Sequence, residues 1–123
     1  MGNLLIKRIY EPAKKTDGLR ILVDRLWPRG VTKERARIDQ WMKDVAPSTQ
    51  LRKQFHQNPQ NWPWFELEYM AELKKQEAVK ELARLVQKQK TVTLLYAAHN
   101  ETQNHVLVLQ RFLNTLLKSD HVV

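Results

Sequence analysis

The sequence predicts a single α/β domain over residues 1–123, with a small, mainly parallel or mixed central sheet of three to four strands covered by helices. Two nearly continuous apolar runs, residues 21–23 and 92–98, are typical of strands that are buried on both faces. Stretches whose apolar residues recur at helical spacing lie between these runs and after them. A chain of 123 residues is also long enough to bury a core of its own.

Two further segments are candidate strands. Residues 4–10 alternate in polarity around Lys7, and residues 39–45 alternate more weakly, so that the latter could equally form helical turns. The link over residues 11–18 is shorter than the dozen residues that a parallel crossover normally needs, and Asp17-Gly18 is a turn signal. This short link favours antiparallel pairing of the first two strands, which would make the sheet mixed.

Capping residues and apolar spacing predict the helices. Thr32 can cap a short helix that ends at Arg37, and Ser48 can cap another that ends at His56. A third helix begins near residue 63 and breaks near Lys75, because its continuation would place polar side chains on its apolar face.

The charge of the chain favours acidic partners. The net charge is +8, and residues 1–62 hold thirteen Lys and Arg against six Asp and Glu. Such an excess suits nucleic acid, nucleotides or other phosphorylated small molecules. All four tryptophans, which could stack on bases, lie within the first 64 residues.

Other features of the composition exclude several classes of chemistry. The chain has no cysteine, which removes disulfides, thiolate metal sites and cysteine nucleophiles. It contains no glycine fingerprint of a dinucleotide or phosphate-binding loop, and its four histidines have no metal-ligand spacing, so we expect no cofactor and no metal. The N-terminus reaches Lys7 after a short apolar run, and no stretch approaches the ~20 residues of a membrane span. These features predict a cytoplasmic protein that does not enter membranes.

The stretch with the most functional side chains is VDRLWPRG, residues 23–30, which follows the first apolar run. Ligands of open α/β sheets bind beyond the carboxyl ends of the strands. We expect Arg25, Arg29 and Lys33 to hold a phosphate or carboxylate there. Trp27 could stack on a planar group, and Asp24 stands where catalytic acids occur. Structural roles explain the same side chains about equally well, as a local Asp24–Arg25 ion pair and a Trp27 that covers the end of the sheet.

Polar residues also follow the last predicted strand. His99 is a candidate general base or phosphate ligand, although a histidine in a loop is more often simply solvated. Tyr96 and Asn104 are candidates for orienting a substrate. Asn100 and Gln103 have the spacing of a capping box, so they predict the start of the final helix.

The segment before the middle of the chain adds further candidates. Arg52 and His56 stand one helical turn apart and could line the same crevice, although a polar outer helix face explains them too. The aromatic run at residues 62–65 has the composition of a binding platform, but at a helix start such a run is more typical of core packing.

Three hypotheses of different classes follow. The first is a small-molecule site for a phosphate- or carboxylate-bearing ligand, in which Asp24 or His99 could move a proton. The second is nucleic-acid binding by the basic N-terminal half. The third is a regulatory or interaction domain without a ligand of its own, in which VDRLWPRG serves only to build the fold.

Several motifs together resemble a known family, the domain of unknown function 488 family, in its short branch. The resemblance runs almost from end to end of the chain, and the following segments carry it: Arg8-Ile9-Tyr10-Glu11-Pro12, Asp17-Gly18, Leu22 to Gly30, Ala46-Pro47-Ser48 with Leu51-Arg52, Tyr69 with Glu72-Leu73, and Leu94-Leu95-Tyr96 with Asn104. It implies an α/β fold and a cytoplasmic protein of bacterial type. It implies no particular reaction, because the family has no assigned activity.

This chain departs from the longer members of that family at two places. Those members carry Cys-x-Glu and Cys-His-Arg around the last strand and helix, where this chain has Tyr96-Ala97-Ala98 and Asn104-His105-Val106. A thiol, metal or redox role in those members therefore does not transfer to this chain. The Asp24-Arg25 pair remains comparable.

Overall fold

The computed structural model describes the backbone of residues 3–121 and the side chains of residues 3–118, and a parallel sheet lies at its centre. The strands of that part of the chain are β1 (Asn3–Arg8), β2 (Leu19–Leu22), β3 (Gln40–Trp41) and β4 (Thr91–Tyr96). Their order is β1-β4-β2-β3, and every pairing is parallel. The predicted α/β class is confirmed. The weak candidate at residues 39–45 is a strand only at its start, because a 3₁₀ turn follows at Lys43–Val45.

The predicted antiparallel pairing of the first two strands is wrong, because β1 and β2 are not neighbours. β4 lies between them and pairs in parallel with both. The link over residues 9–18 brings the chain back to the start of the sheet with only a 3₁₀ turn, Lys15–Asp17, and no crossover helix. Extended chain rises about 3.3 Å per residue, so a link of this length can run back along the six residues of β1.

Asp17 anchors this link by accepting hydrogen bonds from three directions. Its buried carboxylate accepts from Lys7 Nζ at 3.1 Å, from Arg20 Nη1 and from the backbone N–H of Lys14 at 2.9 Å. Burial raises the pKa of the Asp17 carboxyl, but these hydrogen bonds and the charge of Lys7 outweigh burial and hold the pKa below its ordinary value of 3.8. The backbone oxygen of Asp17 accepts from Thr93 Oγ1 at 2.7 Å, which ties the link to β4.

The next residue, Gly18, makes the tight entry into β2. Its φ of +64° lies in the region that favours glycine, and a Cβ at this position would collide with the backbone oxygen of Thr91. The turn signal in the sequence therefore marks a close backbone approach between the link and β4.

Five helices lie in the described residues: α1 (Lys33–Ala36), α2 (Thr49–Gln57), α3 (Trp62–Lys75), α4 (Glu77–Lys88) and α5 (His105–His121). Thr32 Oγ1 accepts from the N–H of Arg35, and Ser48 Oγ accepts from the N–H of Leu51, so both predicted N-caps are confirmed. The predicted break between α3 and α4 falls at Gln76. Within residues 3–121, no helix has both the length and the hydrophobicity that crossing a bilayer requires.

The predicted start of the final helix is wrong by several residues. Oδ1 of Asn100 accepts the backbone N–H of Gln103 at 2.9 Å, which closes a turn ahead of the helix. The helix α5 itself begins at His105, and Oδ1 of Asn104 accepts the N–H of Leu107 at 3.0 Å. Asn104 is therefore the residue that caps α5.

Both faces of the sheet are covered, as the two apolar runs predict. Val92, Leu94 and Tyr96 of β4 pack in a large cluster with side chains of α2, α3, α4 and α5. Leu95 faces the other side and packs with Leu22 in a smaller cluster, which residues 27–41 cover. Successive residues of a strand point to opposite faces, so a fully covered strand is apolar almost throughout.

We expect Asp17→Asn to lower the free energy of unfolding by roughly 3 kcal/mol at pH 7, because it leaves Lys7 and Arg20 facing a neutral amide. A carboxyl whose pKa is lowered in the folded protein stabilises above its unfolded pKa and loses that effect as the pH falls through the folded value. Urea titrations at several pH values should therefore show the two proteins converging below about pH 3.8. The exposed Glu68→Gln is the control. Equal stability at pH 7 would contradict the anchoring role.

Candidate functional site

A cavity of about 610 Å³ opens at the carboxyl ends of β2 and β4. From β2 the chain continues into residues 24–37, which pack on one face of the sheet, and from β4 it continues into α5, which packs on the other face. Where connections leave adjacent parallel strands toward opposite faces, a crevice remains in which ligands bind. The cavity occupies that crevice.

Most of the candidate residues from the sequence line the cavity: Asp24, Arg25, Trp27, Arg29, Arg52, His56, His99 and Asn104. Tyr96 and Lys33 do not line it. Tyr96 is buried in the large cluster, and burial raises the pKa of its hydroxyl, while a hydrogen bond with Asn104 acts in the opposite direction. Lys33 is exposed on α1.

Asp24 joins the ends of the two central strands. Its Oδ2 accepts the backbone N–H of Ala97 at 2.9 Å, just beyond β4. Its backbone oxygen accepts from Nε1 of Trp41 at 2.7 Å, at the end of β3. The residue that the sequence offers as a catalytic acid therefore holds three strand ends together, two through its side chain and the third through its backbone oxygen.

The other carboxylate oxygen of Asp24 is closed off behind His105. Oδ1 is buried and accepts no hydrogen bond within the described part of the chain. Nε2 of His105 lies 3.3 Å from it and 3.0 Å from the backbone oxygen of Val23. Because a carbonyl oxygen only accepts, Nε2 carries the proton and donates it to the backbone oxygen of Val23. The first residue of α5 is thus attached to the end of β2.

Arg25 holds the segment that leads into α2. Its Nε donates to the backbone oxygen of Pro47 at 3.0 Å, and Nη2 donates to that of Ala46 at 3.1 Å. Asp44 lies at 4.0 Å from Nη1. A guanidinium presents donors in a rigid fork that suits two neighbouring acceptors, so this part of the side chain is committed to the fold.

Arg29 and Arg52 are the cationic side chains of the cavity that remain uncommitted. Neither forms an ion pair with the side chains described, residues 3–118. Arg29 is exposed, and its backbone oxygen accepts from the hydroxyl of Tyr10 at 3.1 Å, which fixes the loop. Arg52 is partly buried on α2. Their donors are free to bind an anionic group.

His99 sits at the rim of the cavity beside Arg8. Nδ1 of His99 lies 3.4 Å from Nη2 of Arg8, whose Nε donates to the backbone oxygen of Ala98 at 2.9 Å. A guanidinium only donates, so Nδ1 of His99 is the acceptor, and the neutral ring carries its proton on Nε2. This arrangement favours donation by Nε2 to a ligand over abstraction of a proton by Nδ1.

Aromatic side chains form two parts of the cavity lining. Nε1 of Trp27 donates to the backbone oxygen of Val31 at 2.7 Å, and its ring meets Trp41 edge-on at 5.4 Å between centroids. Phe55 and Trp62 form the second part and line the cavity together with the buried Phe65. Phe55 stands three residues after Arg52, so its place on the same helix face could have been inferred from spacing.

Among the side chains of residues 3–118, no three His, Asp or Glu come close enough together to form a metal site. The cavity instead combines free guanidinium groups, backbone atoms and aromatic rings. Such a lining suits an organic ligand with an anionic group.

We expect Arg25→Lys to lower the free energy of unfolding by about 2 kcal/mol, because an ammonium cannot serve both carbonyl oxygens as the guanidinium does. The matched control is Arg29→Lys, whose side chain makes no hydrogen bond with the described residues, and its change should stay within about 0.5 kcal/mol. Equilibrium urea unfolding of both variants measures the difference. A loss in Arg29→Lys as large as that in Arg25→Lys would contradict the assignment.

Comparison with known proteins finds relatives that match most of the chain and are themselves uncharacterized. The chain is 50% identical over 115 residues to the uncharacterized protein YeaO of Escherichia coli strain K12, covering 93% of this chain and 99% of that protein. It is 38% identical over 109 residues to the uncharacterized protein Rv3073c of Mycobacterium tuberculosis strain H37Rv, covering 89% and 92%. The uncharacterized protein Mb3100c of Mycobacterium bovis matches to the same extent. No solved structure matches the chain significantly.

The family comparison extends over nearly the whole sequence. Residues 3–122 match the family model described as the inactive DUF488-N3 subclade. The resemblance noted from the motifs is thereby confirmed. With a match of this extent and a relative at 50% identity, the chain belongs to the inactive DUF488-N3 subclade.

Proposed function

We propose that this protein binds a small molecule with a phosphate or carboxylate group in the cavity at the carboxyl ends of β2 and β4. The observation that carries the proposal is the pair Arg29 and Arg52, two guanidinium groups that line one cavity and form no ion pair with residues 3–118. The N–H of the His99 ring adds a third donor at the rim. Charge-assisted hydrogen bonds from such groups are among the stronger interactions with an anion.

The proposal is one of binding without catalysis. One carboxylate oxygen of Asp24, the candidate acid or base, accepts a hydrogen bond from the N–H of Ala97, and the other is buried behind His105. A catalytic acid or base needs to reach the proton that it transfers. The description of the subclade as inactive favours the same conclusion.

Thermal unfolding in the presence of phosphate- and carboxylate-bearing small molecules tests the proposal. A ligand that binds only the folded protein at a hundred times its Kd adds about 2.7 kcal/mol, which should raise Tm by roughly 5 °C or more for a chain of this size. We expect Arg52→Gln and Arg29→Gln each to reduce that shift.

Lys53→Gln is the matched control for this experiment. Lys53 is exposed on the same helix as Arg52 and does not line the cavity, and its substitution by Gln removes the same charge. Its ligand-induced shift should equal that of the wild type. If Lys53→Gln weakened binding as much as Arg52→Gln, the effect would be one of overall charge, and the site assignment would be refuted.

Nucleic-acid binding is the second candidate function, and the net charge of +8 favours it. It predicts stabilisation by short RNA or DNA that falls steeply as salt rises, because binding releases counterions from the phosphate backbone. Stabilisation by polymers alone would support this candidate over the small-molecule site. If no compound and no polymer shifted Tm, an interaction domain without its own ligand would become the preferred function.

A further inference from the structure

The cavity has an aromatic wall, formed by Phe55, Trp62 and Phe65. The ring centroids of Phe55 and Phe65 are 4.6 Å apart, and those of Trp62 and Phe65 are 5.2 Å apart with the planes inclined by 26°. Phe55 meets Trp62 edge-on at 5.7 Å. Mutual contacts of this kind hold the rings in place before any ligand arrives.

In the aromatic wall, Trp62 is the residue that has both an exposed part and an indole N–H without a hydrogen-bond partner among residues 3–118. It is only partly buried, whereas Phe65 is 3% exposed. The indole N–H groups of Trp27 and Trp41 each donate to a backbone oxygen at 2.7 Å, but that of Trp62 makes no hydrogen bond within residues 3–118. Core packing therefore accounts for Phe65 and leaves part of the Trp62 ring facing the cavity.

The helix α2 places a cation next to this wall. Arg52, Phe55 and His56 all line the cavity, and their spacing of three and four residues puts them on one helix face. Side chains at this spacing have Cβ atoms about 5–6 Å apart. A ligand that contacts both Arg52 and Phe55 thus carries its anionic group close to its apolar part.

Resting on the proposed anion site, we propose that the ligand combines a flat aromatic ring with an anionic group, the ring against the aromatic wall and the anion at Arg52 and Arg29. Nucleoside monophosphates and aromatic carboxylic acids share this chemistry. The cavity of about 610 Å³ falls within the range of sites for ligands of nucleotide size. The aromatic run at residues 62–65 then contributes to binding as well as to packing.

Isothermal titration calorimetry of the wild type at constant ionic strength tests this with four probes. Adenosine 5′-monophosphate has a ring and a phosphate, ribose 5-phosphate and inorganic phosphate lack the ring, and benzoate has a ring and a carboxylate. Stacking on an aromatic side chain should give adenosine monophosphate on the order of tenfold tighter binding than ribose 5-phosphate. If benzoate bound at least as tightly as adenosine monophosphate, the result would support a ligand with an aromatic ring and an anionic group and would identify that ligand as an aromatic carboxylic acid.

Two tryptophan variants locate the ring. Trp62→Leu should reduce the affinity for adenosine monophosphate to that for ribose 5-phosphate and leave the latter unchanged. Trp64→Leu is the control, because Trp64 packs against the large cluster and does not line the cavity. Arg52→Gln should weaken both phosphates alike. If a variant does not fold, the comparison of the four probes on the wild-type protein still tests the proposal.

The outcomes separate this inference from the function on which it rests. If ribose 5-phosphate and adenosine monophosphate bind equally well and Arg52→Gln weakens both, the aromatic preference is refuted while the anion site stands. An unchanged affinity of Trp62→Leu for adenosine monophosphate refutes the placement of the ring. If none of the four probes binds at millimolar concentration, both the inference and the proposed anion site are refuted.

Discussion

The position of β4 between β1 and β2 is the constraint on which the rest of the structure depends. This strand forms parallel ladders on both sides, although it is the last of the four described strands in the chain. The link over residues 9–18 must therefore pass the place that β4 occupies, and Asp17 and Gly18 fit it closely against Thr93 and Thr91. The same order creates the crevice at the carboxyl ends of β2 and β4, because the chain leaves these neighbouring strands toward opposite faces.

The side chains around that crevice divide into those that build it and those that face it. Asp24, Arg25 and Trp27 make hydrogen bonds to backbone atoms at 2.7–3.1 Å. The bonds of Asp24 and Arg25 connect segments far apart in the chain, and that of Trp27 closes its own loop at Val31. Buried polar groups need such partners, and losing one costs more than the bond itself contributes. Arg29 and Arg52 have no comparable commitment, so they are the cations that a ligand can recruit.

The subclade to which the chain belongs is described as inactive. The contacts at the start of α5 show what the residues there do in the fold. Where longer members of the resembling family carry Cys-His-Arg, this chain has Asn104-His105-Val106. Asn104 caps α5, His105 contacts Val23 and Asp24, and Val106 is buried in the large cluster. The positions are thus used for capping and packing.

Much of the fold follows from local patterns in the sequence. Strands β2 and β4 are mostly apolar because both faces of the sheet are covered. Thr32 and Ser48 cap helices because their hydroxyls satisfy free N–H groups one turn later. The sequence alone also determined which polar side chains follow these strands. Strand order, by contrast, depends on pairing between residues far apart in the chain, so the short link after β1 pointed to the wrong neighbour. Only the tertiary structure decided that Tyr96 and Lys33 lie outside the cavity, that backbone oxygens occupy Arg25, and that α2 and α3 bring the aromatic wall beside Arg52. A side chain's partners across the fold are set by packing, and no local spacing encodes them.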